Sequence, residues 1–381
     1  MKLVDKIKSG IISYIRYSNW LLIFSCAAAT IYGIVLLYSV VKTGNYPDRD
    51  YKIQVAAFLI GMSAALVISK IDYETICRLW PFLSGISLFL VLLTFTPLGL
   101  EVADDKAWLS IPVVGTFQPS ELLKITFIIS FATHISKVHD SINQLRTLIP
   151  LCIHGALPVL LILKQGDDGT ALVFLFIFAS MLFIGGLKPL YFLLGATAGA
   201  SAVPFVWRMM DEAKKARFLC LIFVEKYANS VGWQQNLAIT AIGSGRLWGL
   251  GYMKGGNQYL YARNNDFIFT VAGEEFGFIG GLALFAILLL VLLAILRGFL
   301  AARDLKGMLL CGGVMSMIGF QSIINLGMNL RVLPVVGITL PFFSKGGSSL
   351  VTLYLGIGVA LSVYYSSKTR SHDAIFSKKY S

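Results

Sequence analysis

Charge is what this 381-residue chain has least of. Asp, Glu, Lys and Arg make up 14% of it and hydrophobic residues 56%, where soluble domains carry roughly 25% charge. A water-soluble fold cannot enclose so much apolar surface behind so few charges, which excludes an ordinary soluble enzyme, and the same composition excludes disorder. Cysteine is also sparse. Cys26, Cys77, Cys152, Cys220 and Cys311 are widely spaced and form no C-x-x-C pair, so a disulfide scaffold is excluded and the thiols read as small hydrophobes. The histidines at 134, 139, 154 and 372 show no metal-ligand spacing. A P-loop, a Ser/His/Asp set and a haem motif are missing, so no nucleotide energy source is implied. No repeat of about 20–50 residues is visible, and the lack of inverted halves counts against a common transporter plan.

What is present in quantity is long apolar runs. A membrane-spanning helix needs about 20 such residues, and ten runs qualify, at approximately 20–41, 53–70, 79–97, 119–136, 146–163, 169–186, 188–207, 267–296, 307–330 and 347–366. The first follows Lys2, Lys6, Lys8 and Arg16 without a convincing cleavage site, and so reads as an anchor rather than a removable signal. The expectation is an all-α polytopic membrane protein of about ten transmembrane helices, a single domain over 1–381 with tails at 1–19 and 367–381. Lys and Arg are more frequent in alternate loops, sixteen against seven, which predicts both termini on the cytoplasmic side. The formal charge of +12 is thereby spread along membrane-flanking loops, which argues against a nucleic-acid partner.

The long segment 208–266, between the seventh and eighth runs, is then extracytoplasmic. Unstructured loops beyond about 12–15 residues are usually functional or disordered, and this one is too apolar and aromatic for disorder, with Phe218–Val224, Trp233, Trp248, Tyr252, Tyr259 and Tyr261. Its basic residues include Arg217 and Lys254. Such a surface suits an anionic, partly greasy ligand, or a cap resting on lipid head groups.

Charges inside the spans are the next signal, because they are costly there. Glu121 and Lys124 stand three apart on one helical face, directly after Pro119, as either a structural ion pair or a brace beside a substrate cavity. Glu274 and Glu275 point about 100° apart, so at least one should face protein. Asp266 lies at a membrane–water boundary before Phe267 and Phe269, and reads either as a helix cap or as a carboxyl of raised pKa able to act as a general base. Lys345-Gly346-Gly347-Ser348-Ser349 places hydroxyls, a cation and free N–H groups at the start of the last run, a sound phosphate site.

In order along the chain stand Lys106-Ala107-Trp108-Leu109, Phe117-Gln118-Pro119-Ser120-Glu121-Leu122-Leu123-Lys124, Gln165-Gly166-Asp167-Asp168-Gly169-Thr170, Ala241-Ile242-Gly243-Ser244-Gly245, Asn265-Asp266-Phe267-Ile268-Phe269 continuing to Gly277, and Leu333-Pro334 continuing to Ser349. This series resembles the SEDS family, the polytopic RodA/FtsW/SpoVE proteins of bacterial elongation, division and sporulation. The resemblance implies a peptidoglycan glycosyltransferase that polymerises lipid II outside the cytoplasmic membrane with a class B penicillin-binding protein as partner. It implies Asp266 as the catalytic residue and Glu121 and Lys124 as braces beside the central cavity. Lys106, Trp108, Gln118, Arg217, Lys254, Lys345 and Ser348 are the further candidates for substrate or cavity contacts. Undecaprenyl-diphosphate-linked glycan is the expected donor. Its leaving diphosphate needs positive charge, from the basic residues or from a divalent cation such as Mg or Mn. A lipid II flippase and a non-catalytic division scaffold are the rival expectations. The family commonly has Tyr where Lys345 stands and a small residue at Arg331.

Overall fold

The computed structural model describes residues 13–44, 46–102, 105–111, 115–256 and 260–379. Lys2, Lys6, Lys8, Tyr259 and the last two residues of the C-terminal tail fall outside these ranges. Helices stand at all ten expected runs. They are α1 (Trp20–Thr43), α2 (Arg49–Ile68), the short α3 (Tyr73–Arg78) followed by α4 (Trp80–Leu93), α5 (Pro119–Val138), α6 (Leu145–Gln165), α7 (Asp168–Ile184) and α8 (Pro189–Met209). The segment that follows holds α9 (Glu212–Ile222) and α10 (Trp233–Ser244), and the chain ends with α11 (Ile268–Ala301), α12 (Leu305–Asn329) and α13 (Gly347–Lys379). Seven of them are long and apolar enough to cross a membrane, and α4 and α7 are shorter apolar helices. The chain is an all-α polytopic membrane protein.

Helix ends follow local chemistry. Pro119 and Pro189 sit at first positions, where the missing N–H costs nothing. Asp167 and Asp304 cap α7 and α12 by accepting from Thr170 N and Gly307 N, both at 2.8 Å, and Gly166 ends α6 in the left-handed region at φ 95°. The bundle is built around α5. It carries Glu121 and Lys124 yet buries most of its residues, so it forms a central strut packed against α4, α12 and α13. Helix α13 lies along α2, and α11 along α1 and α12. At the margin, α8 has no buried residue.

Two features were not expected. Between α4 and α5 lies a small antiparallel sheet of β1 (Gly99–Val102), β2 (Asp105–Ile111) and β3 (Gly115–Phe117) in that order, with Leu100 opposite Trp108 and Leu109 opposite Phe117. Among the described residues of β2, Ala107 and Leu109 show the alternating burial of a strand, too short a pattern to read from sequence. The second feature is a break in α11 at Gly277, where φ is 66° and ψ −160°. A helix broken inside the bundle leaves backbone groups that must find other partners. Here the 246–251 turn supplies them: Leu250 N donates to Glu274 O at 2.9 Å, Gly251 N to Glu275 O at 3.1 Å, and Phe278 N to Arg246 O at 2.8 Å. Both acids beside the break face protein. Glu274 pairs with Arg263 and accepts from Gly256 N at 3.0 Å, and Glu275 accepts from Ser39 Oγ at 2.5 Å.

Candidate active site

The starts of α2, α5, α7, α11 and α13 meet at the end of the bundle that carries the sheet, and polar side chains there tie them together. Directly before α5, Gln118 Nε2 donates to Asp167 Oδ2 at 2.7 Å, while the other oxygen of Asp167 caps α7. One turn further, Lys124 Nζ donates to Glu121 Oε1 at 2.8 Å, and Glu121 Oε2 accepts from Ser349 Oγ of α13 at 3.2 Å. The Lys124 side chain is only 1% exposed. A charge so deeply buried needs its partner beside it, so α5 and α13 are fixed by one three-residue network.

Asp266 lies just before α11. It is not the helix cap: that position is Phe267, which provides no side-chain cap. The Asp266 main chain is tightly held, its carbonyl accepting from Asn325 Nδ2 at 3.0 Å and Asn329 Nδ2 at 2.9 Å, two residues one turn apart on α12. Asn329 in turn accepts from Thr270 Oγ1 at 2.9 Å. Of the carboxyl, Oδ1 is buried and without a hydrogen-bond partner. Burial, reinforced by the Asp167 carboxylate, pushes Asp266 up to about 6. Burial likewise raises Asp167. It also pushes Asp105 of β2 up to about 6, with Asp167 and Asp168 adding to the rise and Arg217 and Lys214 opposing it. A rigid backbone carrying a carboxyl with one buried, unbonded oxygen and a raised pKa fits a general base.

Beside this cluster is a small cavity with Glu121, Gln321, Ser344, Lys345, Ser349 and Leu353 among its lining residues. Asp266 is not in the lining, but its loop is bonded to the cavity wall: Ser344 Oγ donates to Asn265 O at 2.6 Å, and Lys345 N to Asn264 O at 2.8 Å. The structure therefore brings Gln118, Glu121, Lys124, Lys345 and Asp266 into one region. Ser349, rather than Ser348, contacts Glu121; the Ser348 carbonyl accepts from Thr352 Oγ1 at 2.8 Å. Lys106 and Trp108 are half-buried in β2, and Arg217 and Lys254 are exposed on the long segment. Asp50, Asp167, Asn325 and Asn329 were not nominated from the sequence. Asp167 lay inside a quoted motif, but nothing local marked the other three.

An all-helical membrane bundle with an acidic, partly buried site at one end defines the class. The chain matches the FtsW/RodA/SpoVE cell cycle protein model over residues 19–369, and it belongs to that family. It is 32% identical over 364 residues to the probable peptidoglycan glycosyltransferase FtsW of Geobacter sulfurreducens, covering 91% of this chain and 95% of that one. It is 28% identical to the peptidoglycan glycosyltransferase RodA of Treponema pallidum, covering 91% and 97%. Among solved structures it resembles a chain from a study of polymerization and crosslinking by a peptidoglycan synthase complex, with TM-score 0.80, 30% identity and coverage of 92% and 98%. The rod shape determining protein RodA of Thermus thermophilus gives TM-score 0.67 at 29% identity, covering 91% and 96%.

Proposed function

We propose that this peptidoglycan glycosyltransferase polymerises lipid II at the outer face of the cytoplasmic membrane, with both termini inside, for cell elongation or division. The acceptor is the sugar 4-hydroxyl of lipid II, and the donor is the glycan held by undecaprenyl diphosphate. Asp266 takes the hydroxyl proton as the oxygen attacks the anomeric carbon, which inverts to a β-1,4 bond as the diphosphate leaves. The observation that carries this reading is the half-buried Asp266 carboxyl, its Oδ1 buried without a hydrogen-bond partner, on a main chain held by two asparagines. The Glu121–Lys124–Ser349 network holds the cavity wall beside it. A class B penicillin-binding protein is the proposed partner, supported by the neighbouring structure's coupling of polymerization with crosslinking. Among the described residues no group of three or more His, Cys, Asp or Glu side chains is placed to hold a metal.

The test is polymer formation from fluorescent lipid II by purified protein in detergent, alone and with the class B partner. Flipping has no meaning in a micelle, so a ladder of glycan products identifies a synthase. Failure to make polymer under both conditions overturns the reading and favours a flippase or scaffold.

The rate should also depend on pH in one direction. Burial disfavours the charged form of Asp266, so it keeps its proton to higher pH than an exposed carboxyl and becomes a base only above about 6. Polymerisation is expected to rise through that pH and then level off. Asp105→Asn removes the other carboxyl pushed up to about 6 and should leave the midpoint in place. A midpoint that disappears with Asp105 assigns the titration there instead.

A further inference from the structure

The cavity wall is electrically balanced when empty. Lys124 is bound to Glu121 and out of solvent, its side chain only 1% exposed. Lys345 is the one basic residue among those lining the cavity, and it too is engaged: its Nζ lies 2.7 Å from Asp50 Oδ2. The two members of that pair are unlike. The Asp50 side chain is 3% exposed and that of Lys345 40%, so the acid is embedded in the wall while the cation stands at its surface.

Asp50 also has support that does not depend on Lys345. It lies in the first turn of α2, where the helix dipole favours a negative charge, and it accepts from Asn264 Nδ2 at 3.4 Å. Backbone bonds hold Lys345 from both sides, its own N to Asn264 O at 2.8 Å and Gly346 N to Gln54 Oε1 at 3.0 Å. Gln54 Nε2 also donates to Ser344 O at 3.0 Å. The Lys345 backbone is thus pinned, whereas a lysine side chain is a flexible stem ending in a rotatable point charge. Such an arrangement lets the ammonium change partners without moving the wall.

We infer that Lys345 is the cation that takes the diphosphate of the lipid-linked substrate, and that Asp50 is the placeholder anion it leaves on binding. The inference rests on the lipid-diphosphate reading above. Lys124 is unsuited to the task, because moving it would strand Glu121 inside the bundle. Lys345 can turn toward a diphosphate oxygen and form a charge-assisted hydrogen bond while Asp50 keeps the α2 terminus and Asn264. Exchanging one anion for another keeps the wall neutral in the empty site and sets a cost on entry, so only a ligand with a strong anionic group displaces Asp50. Substrate affinity is then lower than Lys345 alone would give, and removing Asp50 should raise it.

That opposition separates a placeholder from a plain structural brace. The measurement is equilibrium binding of radiolabelled undecaprenyl diphosphate to the purified full-length protein in detergent, with thermal unfolding followed in parallel. Lys345→Gln should weaken binding about 10-fold or more, the usual consequence of losing a hydrogen bond to a charged group. Lys345→Arg should restore most of it, and Asp50→Asn should tighten binding severalfold. If Lys345→Gln and Asp50→Asn both weaken binding, the pair is a brace and the inference is wrong. If Lys345→Gln binds like the parent, the diphosphate sits elsewhere and the inference is equally wrong. Should Asp50→Asn unfold, Lys345→Gln still decides: binding lost with the parent's unfolding temperature retained supports the diphosphate contact, and a matched fall in binding and unfolding temperature marks a brace. The readout needs no turnover, so a failed polymerisation assay and a failed diphosphate site give different results.

Discussion

Asp266→Asn should abolish polymerisation of lipid II while the protein remains folded. A positioned general base is worth about 100- to 10,000-fold in rate, and Asn keeps the shape of the side chain while removing its ability to take a proton. The structural role of Asp266 is carried by its main chain, through the carbonyl held by Asn325 and Asn329, and that carbonyl is unchanged by the substitution. The carboxyl oxygen Oδ1 has no partner to lose. Its raised pKa means that the charged form is disfavoured in the folded state, so above about pH 6 the carboxylate works against folding. Replacing it with a neutral amide should therefore leave thermal stability in detergent at neutral pH equal or slightly higher. Loss of activity with stability retained is the signature of a functional group kept at a structural cost. Undiminished polymerisation would remove Asp266 from the mechanism, and a matched fall in activity and stability would make it a structural residue.

The helices were legible because each depends on one local property, an apolar run of spanning length, and α1, α6 and α12 begin and end within a few residues of the expected bounds. The long segment was recognisable as too aromatic for disorder, but its two helices were not, since α9 and α10 are short and only Cys220, Gln235, Ala238 and Ala241 on them are buried. The site was legible only in part. Glu121 and Lys124 could be paired from their spacing, because three residues along a helix fixes their proximity. Asp266 could not be separated from a helix cap by sequence pattern, because what distinguishes it is held by asparagines about sixty residues away on α12. Asp50 was invisible for the same reason: its partner Lys345 lies at the far end of the chain. Charge alone nominated Arg217 and Lys254, and both prove exposed on the long segment, because a count of basic residues carries no direction.

The Gly243-Ser244-Gly245 turn should respond to two identical changes in opposite ways. Gly243 is exposed within α10, and a Cβ added there meets nothing within 4 Å. Gly243→Ala should therefore be neutral or stabilise by about 0.5–1 kcal/mol, the ordinary helical advantage of alanine. At Gly245 the added Cβ would lie 1.9 Å from the Gly273 carbonyl oxygen, a backbone atom that cannot step aside. The contact exists because the 245–251 turn docks against α11 where that helix is broken, replacing its missing hydrogen bonds. Gly277 makes the opposite side of the joint. Its φ of 66° with ψ of −160° is open almost exclusively to glycine and costs other residues about 1–3 kcal/mol, and a Cβ there would lie 2.4 Å from Gly249 N. Gly277→Ala and Gly245→Ala should each destabilise the protein by about 3 kcal/mol or more, since backbone strain or overpacking is joined by loss of buried hydrogen bonds. Thermal unfolding in detergent of the three variants beside the parent checks this, the Gly243 variant serving as the control for substitution in the same turn. Because the broken segment leads directly from Asp266 through Glu274, any activity lost in the Gly245 and Gly277 variants should fall together with stability, unlike Asp266→Asn. Equal tolerance at 243, 245 and 277 would mean that the turn is not docked on α11 as the structure has it.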